Sequence, residues 1–319
     1  LKQLEKDLPP PATSSEADED SGELDVIVVG AGAAGVGTAM MLTRTFGLDA
    51  SRVLLVERGD EVGATFKRWP AEMRFISPSF NQQGWTSSFD LNSISHGTSL
   101  AYSLGTEHPS GADYAEYLKA LVEGAKLNVR TQTEVTSVEP AAGGAEEGGG
   151  GGPPRFSVCV RSTTDATATE TLHARYVVWA AGEFQYPRES SGSSMVGAEL
   201  CVHNSRVRSW ASLPGDDFVL IGGYESGVDA TVNLAKAGKR VTLLASTASW
   251  NTYDPDPSTE LAPYTAGRLR EVTAFAGHDA IAEFARQRAL GEHDTHVKPP
   301  FTARRSQRPN LRQTSAHFR

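Results

Sequence analysis

The six residues Gly30-Ala31-Gly32-Ala33-Ala34-Gly35 constrain this chain more than any other feature, because one apolar run leads into them and another leads out. Asp25 to Val29 is β-branched and apolar, the pattern of a buried strand, while Ala33 to Phe46 has the length and apolar content of a helix. A strand that turns straight into a helix around an anion needs three things of its turn. The first glycine lets the backbone reverse, the middle one lets a phosphate approach the main chain, and the last lets helix and strand pack closely. The unpaired N–H groups at the helix start then face the phosphate charge. Val53 to Val56 reads as the next strand, and Glu57 ends it about 20 residues after the motif, where a carboxylate can accept from both hydroxyls of a ribose. The pattern predicts a βαβ unit with a dinucleotide cradle at Gly30, Gly32, Ala33, Ala34, Gly35, Glu57 and Arg58.

A second copy of the unit follows. Phe218 to Ile221 reads as a strand, about Gly227 to Ala237 as a helix, and Arg240 to Ala245 as the next strand. The turn between the first two is Gly222-Gly223-Tyr224-Glu225-Ser226-Gly227. Tyr224 stands where the middle glycine belongs, and a side chain of that size either displaces a pyrophosphate or stacks over it. We expect a nicotinamide-nucleotide site here. No carboxylate ends the following strand, and Ser246 with Thr247 could instead hydrogen-bond a 2′-phosphate, a slight preference for NADP over NAD. Two dinucleotide sites on one chain predict an α/β fold of two Rossmann-like three-layer dinucleotide-binding domains.

Composition narrows the function class. A net charge of −9 disfavours a nucleic-acid partner, which needs a basic face. The two cysteines, Cys159 and Cys201, are far apart, which excludes a C-x-x-C redox pair, a disulfide framework and a cysteine zinc site. Val26 to Leu42 approaches the length of a membrane span, but its glycines and β-branched start suit strand, turn and helix better. With no signal-peptide pattern we expect a cytoplasmic protein.

Along the chain, residues 1–23 are acidic and proline-rich and read as a disordered leader. The first domain spans 24–210. Within it Tyr114 to Glu123 has helical spacing with Asp113 placed to cap it, and strands are expected at Val129 to Thr131, Glu134 to Val138, Phe156 to Arg161 and Thr169 to Val178. The glycine run in 141–154 reads as a flexible insertion in a hairpin. The second domain spans 211–286. From 287 to 319 the chain is polar and basic, and reads as disordered or as the product of an altered reading frame.

These motifs together resemble the two-dinucleotide-binding flavoproteins, in particular the flavin-containing monooxygenase-like and bacillithiol-disulfide-reductase-like branches. Glu57 followed by Val62-Gly63-Ala64-Thr65-Phe66 and Trp69-Pro70 is similar to the segment that runs past the flavin in that group. Val177-Val178-Trp179-Ala180-Ala181-Gly182 looks like the strand that leads from FAD toward the second domain, and His108-Pro109-Ser110-Gly111 like the approach to the FAD-domain helix. The resemblance implies FAD at the first motif, NADP or NAD at the second, and the second domain inserted into the first. It implies that Thr65 and Trp69 lie near the isoalloxazine, that the backbone of Val135 meets the adenine, and that Ala181 and Gly182 belong to the cofactor site. The function implied is an FAD-dependent oxidoreductase accepting hydride from NAD(P)H and acting on a small-molecule substrate, as a monooxygenase or as a reductase of a small disulfide or other acceptor. A dinucleotide-binding protein without turnover, or an incomplete gene product, is the alternative.

The chain departs from that group in three places. The F-x-G-x-x-x-H-x-x-x-Y signature is not intact: Met195-Val196-Gly197 begins like it, but His203 comes late. No dithiol exists to relay electrons. No Gly-Asp return segment follows the second domain. No catalytic acid or base stands out; Asn81, Gln82, Gln83 and Trp85 could line a flavin or substrate, or form a solvated loop.

Overall fold

A computed structural model describes residues 24–79, 90–141, 156–183, 197–245, 261–273 and 298–303. The chain divides into two compact units, one of residues 1–69 and 78–205, the other of residues 70–77 and 206–319. Each is described by itself.

In the first unit the expected βαβ unit forms where the sequence places it. Strand β1 (Leu24–Val29) pairs in parallel with β2 (Val53–Val56), Val26 opposite Val53, and α1 (Ala33–Met40) joins them, running on as a π-helical segment, Met41–Thr45. Both strands are buried on both faces, which is why they read as unbroken apolar runs. A short helix α2 (Ala64–Lys67), α3 (Leu100–Leu104) and the long α4 (Gly111–Ala125) follow. Then come β3 (Asn128–Arg130), β4 (Thr133–Pro140), β5 (Phe156–Ser162) and β6 (Thr169–Trp179), giving a six-stranded sheet in the order β3-β2-β1-β6-β5-β4.

β6 is long because it serves two partners. Its first half pairs antiparallel with β5, and its second half pairs parallel with β1, the two registers meeting at Ala174. One core results: Ile27, Val29, Leu54, Val56, Val158, Val160, Leu172 and Ala174 pack together, with Val135, Val177 and Ala181 against them.

Helix α4 begins earlier than its apolar spacing suggests. Ser110, not Asp113, is its N-cap: the Ser110 hydroxyl accepts from the Asp113 N–H, and the Asp113 carboxylate accepts from the Ser110 N–H. That is the reciprocal capping box, which places the acidic residue at the third helical position.

The second unit pairs β7 (Asp217–Ile221) in parallel with β8 (Arg240–Ala245) through α5 (Glu225–Lys236), and α6 (Pro263–Thr273) packs on α5. Val228, Val232, Leu243, Leu261, Leu269 and Val272 form one cluster; Val207, Trp210, Ala230, Leu234 and Val241 form another, with Met73 of the early segment against it. The sequence assigned no element after 287, but β9 (Lys298–Ala303) pairs antiparallel with β8 at the edge of this sheet, the one position where its two prolines are tolerated. The leader, the glycine-rich stretch from 142 to 155, Asn81 to Trp85, and Ser246 with Thr247 lie outside the described residues. Among the described residues no helix is long and apolar enough to cross a membrane.

Candidate functional site

The first glycine motif is built from contacts that leave little freedom. Gly30 has φ +103°, and its N–H donates to the Val56 carbonyl at 2.7 Å, so the chain turns while still held to β2. A Cβ at Gly30 would stand 2.6 Å from the Ala180 carbonyl oxygen and 3.1 Å from the Cα of Ala181, which brings the Ala181-Gly182 turn directly against the motif. A Cβ at Gly35 would stand 1.8 Å from the Gly30 carbonyl oxygen. Gly32 is different. It is the N-cap of α1 in extended backbone, φ −83°, and a Cβ there would meet nothing within 4 Å. Open space lies where the unpaired N–H groups of Ala33 and Ala34 begin the helix, the place an anion takes in such a turn.

Glu57 is not a solvated bystander. Its Oε2 accepts from the Ala31 N–H at 2.8 Å and its Oε1 from the Gly59 N–H at 2.7 Å, so the carboxylate is clamped onto the motif. Each oxygen keeps a free lone pair for a hydroxyl donor. The Glu57 carbonyl accepts from the Thr133 N–H at 2.9 Å and the Gly59 carbonyl from the Gln132 N–H at 2.7 Å, which stitches the start of β4 to the same corner. Val135 lies two residues on, at a β-bulge between Val135 and Ser137, its side chain in the core.

Sequence reasoning did not name Gly59 as a member of this corner, and it quoted Ala31 and Gly63 within their segments without assigning either a role. Gly63, at φ +72°, donates to the Ala31 carbonyl at 3.0 Å and so sets α2 beside the motif. The signal for Gly59 was a glycine two residues after Glu57. Thr65 is exposed on α2; Trp69 is half-buried, its ring edge-on to Phe66, which in turn meets Tyr114 of α4. Gly111 makes room for this aromatic stack, since a Cβ there would lie 2.2 Å from the Phe66 carbonyl oxygen. Arg58 is half-buried next to Glu57.

The second motif repeats the first in its backbone. Gly222 has φ +104° and donates to the Leu244 carbonyl at 2.8 Å, and a Cβ at Gly227 would stand 1.7 Å from the Gly222 carbonyl oxygen. Gly223 is buried and Ser226 lies in the first turn of α5. Tyr224 is the N-cap, φ −101° and ψ −165°, and the residue is 52% exposed. Glu225 is spent elsewhere: its Oε1 accepts from the Ala262 N–H at 2.6 Å and its Oε2 from the Thr265 hydroxyl at 2.5 Å, so it caps α6.

His203 is exposed, and among the described residues its Nδ1 lies 2.8 Å from the Ser205 hydroxyl. Cys159 is half-buried and Cys201 exposed, and both are free thiols. No cluster of metal-ligating side chains occurs among the described residues.

Two kinds of likeness agree with this architecture. The chain is 26% identical over 223 residues to an uncharacterized oxidoreductase, CzcO, of Bacillus velezensis, which covers 69% of this chain and 54% of the relative. It is 26% identical over 263 residues to a flavin-containing monooxygenase, FMO GS-OX1, of Arabidopsis thaliana, covering 73% and 51%. The chain therefore spans about half the length of the curated relatives it matches. In fold it is similar to the bacillithiol disulfide reductase Bdr of Bacillus cereus, with a TM-score of 0.56, 23% identity, and coverage of 79% of this chain and 65% of that one. The Staphylococcus aureus enzyme gives a TM-score of 0.54 at 21% identity, covering 79% and 64%. The family model described as pyridine nucleotide-disulphide oxidoreductase matches residues 27–147 and 161–304, both glycine motifs included, and the chain belongs to that family.

Proposed function

We propose that the chain is an FAD-dependent oxidoreductase that takes hydride from NADPH or NADH and passes electrons to a small acceptor without a protein dithiol. The observation that carries this reading is the clamped carboxylate: Glu57 is fixed on the Ala31 N–H, beside a helix start kept clear by Gly32. Gly30, Gly32, Gly35 and Glu57 would hold the ADP half of FAD, the diphosphate over the N-terminus of α1 and the ribose at Glu57. Thr65, Trp69, Val135, Ala181 and Gly182 are proposed as the further lining of that corner. Gly222, Gly223, Ser226 and Gly227 would hold the nicotinamide nucleotide. When bound, FAD supplies the two-electron chemistry, and the chain supplies position and shielding.

For the acceptor we favour molecular oxygen, with a small organic molecule oxygenated. Both thiols are free and neither could relay electrons as half of a dithiol pair. The monooxygenase name of one relative supports this reading, and the disulfide-reductase name of the structural neighbours supports a small external disulfide as the second.

The visible spectrum of the purified chain, recorded anaerobically before and after NADPH and NADH, tests the proposal. A yellow protein bleached by either nucleotide and recoloured by air supports it. A colourless protein that takes up no added FAD, or a yellow one that neither nucleotide bleaches, rejects it. The latter would favour dinucleotide binding without turnover.

A further inference from the structure

We propose that Tyr224 sets the nucleotide affinity of the second motif by standing in the berth of the diphosphate. This rests on the reading of that motif as a nicotinamide-dinucleotide site. The chain contains its own control, because the two turns match in backbone. Their first glycines have φ +103° and +104°, and their last glycines both sit against the carbonyl of the first, at 1.8 and 1.7 Å for an added Cβ. Their N-cap residues are both extended, Gly32 at φ −83°, ψ −168° and Tyr224 at φ −101°, ψ −165°.

The fold therefore demands glycine at the first and last positions and makes no such demand at the middle one. Any residue adopts the extended backbone of an N-cap. At Gly32 an added Cβ would meet no protein atom within 4 Å. The space it would enter is the space through which a diphosphate reaches the helix N–H groups, since that approach is what the middle glycine provides. The matching backbone directs the Cβ of Tyr224 along the same path in the second turn, with the phenol ring attached to it. The residue is 52% exposed, so its side chain is not packed away into the core.

Two physical consequences follow. A dinucleotide must displace the ring from the berth or bind with its diphosphate held off the α5 N-terminus. The first costs the free energy of moving the ring and the second weakens at least one charge-assisted N–H···phosphate bond, so affinity falls by about tenfold or more relative to a glycine at this place. Glu225 is held away by the start of α6, whose Ala262 N–H and Thr265 hydroxyl donate to its two oxygens, and it stays unchanged in every Tyr224 variant.

The test is a reciprocal exchange in the full chain. FAD is saturated first, and NADPH and NADH are titrated calorimetrically into wild type, Tyr224→Gly and Tyr224→Phe. FAD is titrated separately into Gly32→Tyr, and circular dichroism checks the fold of each variant. We expect Tyr224→Gly to bind nucleotide about tenfold or more tightly, Tyr224→Phe to resemble wild type, and folded Gly32→Tyr to lose FAD affinity by a similar factor or more. Equal or weaker binding by Tyr224→Gly overturns the proposal while leaving the second site in place. Loss of binding in Tyr224→Phe also overturns it, since the hydroxyl would then be a ligand contact. If wild type and both Tyr224 variants bind neither nucleotide, the nicotinamide-site reading itself fails.

Discussion

Gly35 and Gly227 exclude a side chain for a reason that has nothing to do with a ligand: each sits against a carbonyl oxygen of its own turn, closer than any Cβ tolerates. Gly35→Ala should therefore cost about 3 kcal/mol or more of stability, with the helix and strand forced apart. Gly32→Ala should cost about 1 kcal/mol or less, the difference between glycine and alanine as an N-cap. Thermal denaturation of the two variants side by side measures the contrast, and equal losses would contradict the separation of fold and ligand roles. Glu57→Ala leaves the Ala31 and Gly59 N–H groups without their acceptor, at about 1–3 kcal/mol in addition to any loss of FAD. The glycine spacing and Glu57 were legible in the sequence because their geometry is local. The partners of Glu57 were less so, since hydrogen bonds to backbone N–H groups leave no mark on residue identity. The N–H of Ala31 gave no sign of its role, Gly59 only the sign of being glycine, and Gly63 showed only through the resemblance of its segment.

At the level of elements, the second unit is held by polar contacts that apolar periodicity does not reveal. Glu225, Asp229 and Asn233 follow one another at one-turn spacing on α5, and all three meet the α6 region. Glu225 caps α6, Asp229 pairs with Arg268, and Asn233 accepts from Arg268 at 2.9 Å. Asp229 and Arg268 are both largely buried. Arg268→Met should leave Asp229 as an uncompensated buried carboxylate, costing about 3–5 kcal/mol, and adding Asp229→Leu should recover most of that loss. Urea unfolding of the single and double variants decides this; an unrecovered double variant would mean that Arg268 acts through something other than the pair.

Residues 70–77 are tied to the same unit by Glu72, which accepts from the Ser209 hydroxyl and from the N–H groups of Trp210 and Ala211. Burial pushes the Glu72 carboxyl up, but these donors outweigh it and hold it below the usual carboxylate range. The unfolded chain then takes up the proton first, so this contribution is full above the ordinary carboxylate range and is lost as pH falls through the folded value. Glu72→Gln should flatten the acid limb of a melting-temperature profile taken from about pH 6 to pH 3. Asp229 has the opposite sign. Burial raises it against the pull of Arg268, so its contribution is lost as pH rises through its folded value. The positions of β7, α5 and β8 followed from sequence, whereas α6 and β9 did not. The allegiance of residues 70–77 did not, because it rests on one carboxylate and a non-local strand-like bond from Ala71 N–H to the Arg208 carbonyl at 2.8 Å.

For the whole molecule, each unit has its own core and its own glycine turn, the first around Ile27, Leu54 and Val158, the second around Val228, Leu243 and Leu269. A ligand that binds only a folded unit stabilises that unit in proportion to its saturation, by about 2.7 kcal/mol at a hundredfold excess over Kd. FAD should therefore raise the unfolding transition that belongs to the first unit, and NADP+ the one that belongs to the second. Scanning calorimetry with each nucleotide alone and with both measures this. Tryptophan emission helps assign the second unit, since Trp210 is buried in it. The Gly32→Tyr variant should abolish the FAD shift and keep the NADP+ shift, because the two turns are separate copies of one design. A single transition raised by either nucleotide alone would instead show that the chain unfolds as one cooperative body, and the two motifs would have to be treated as one coupled site.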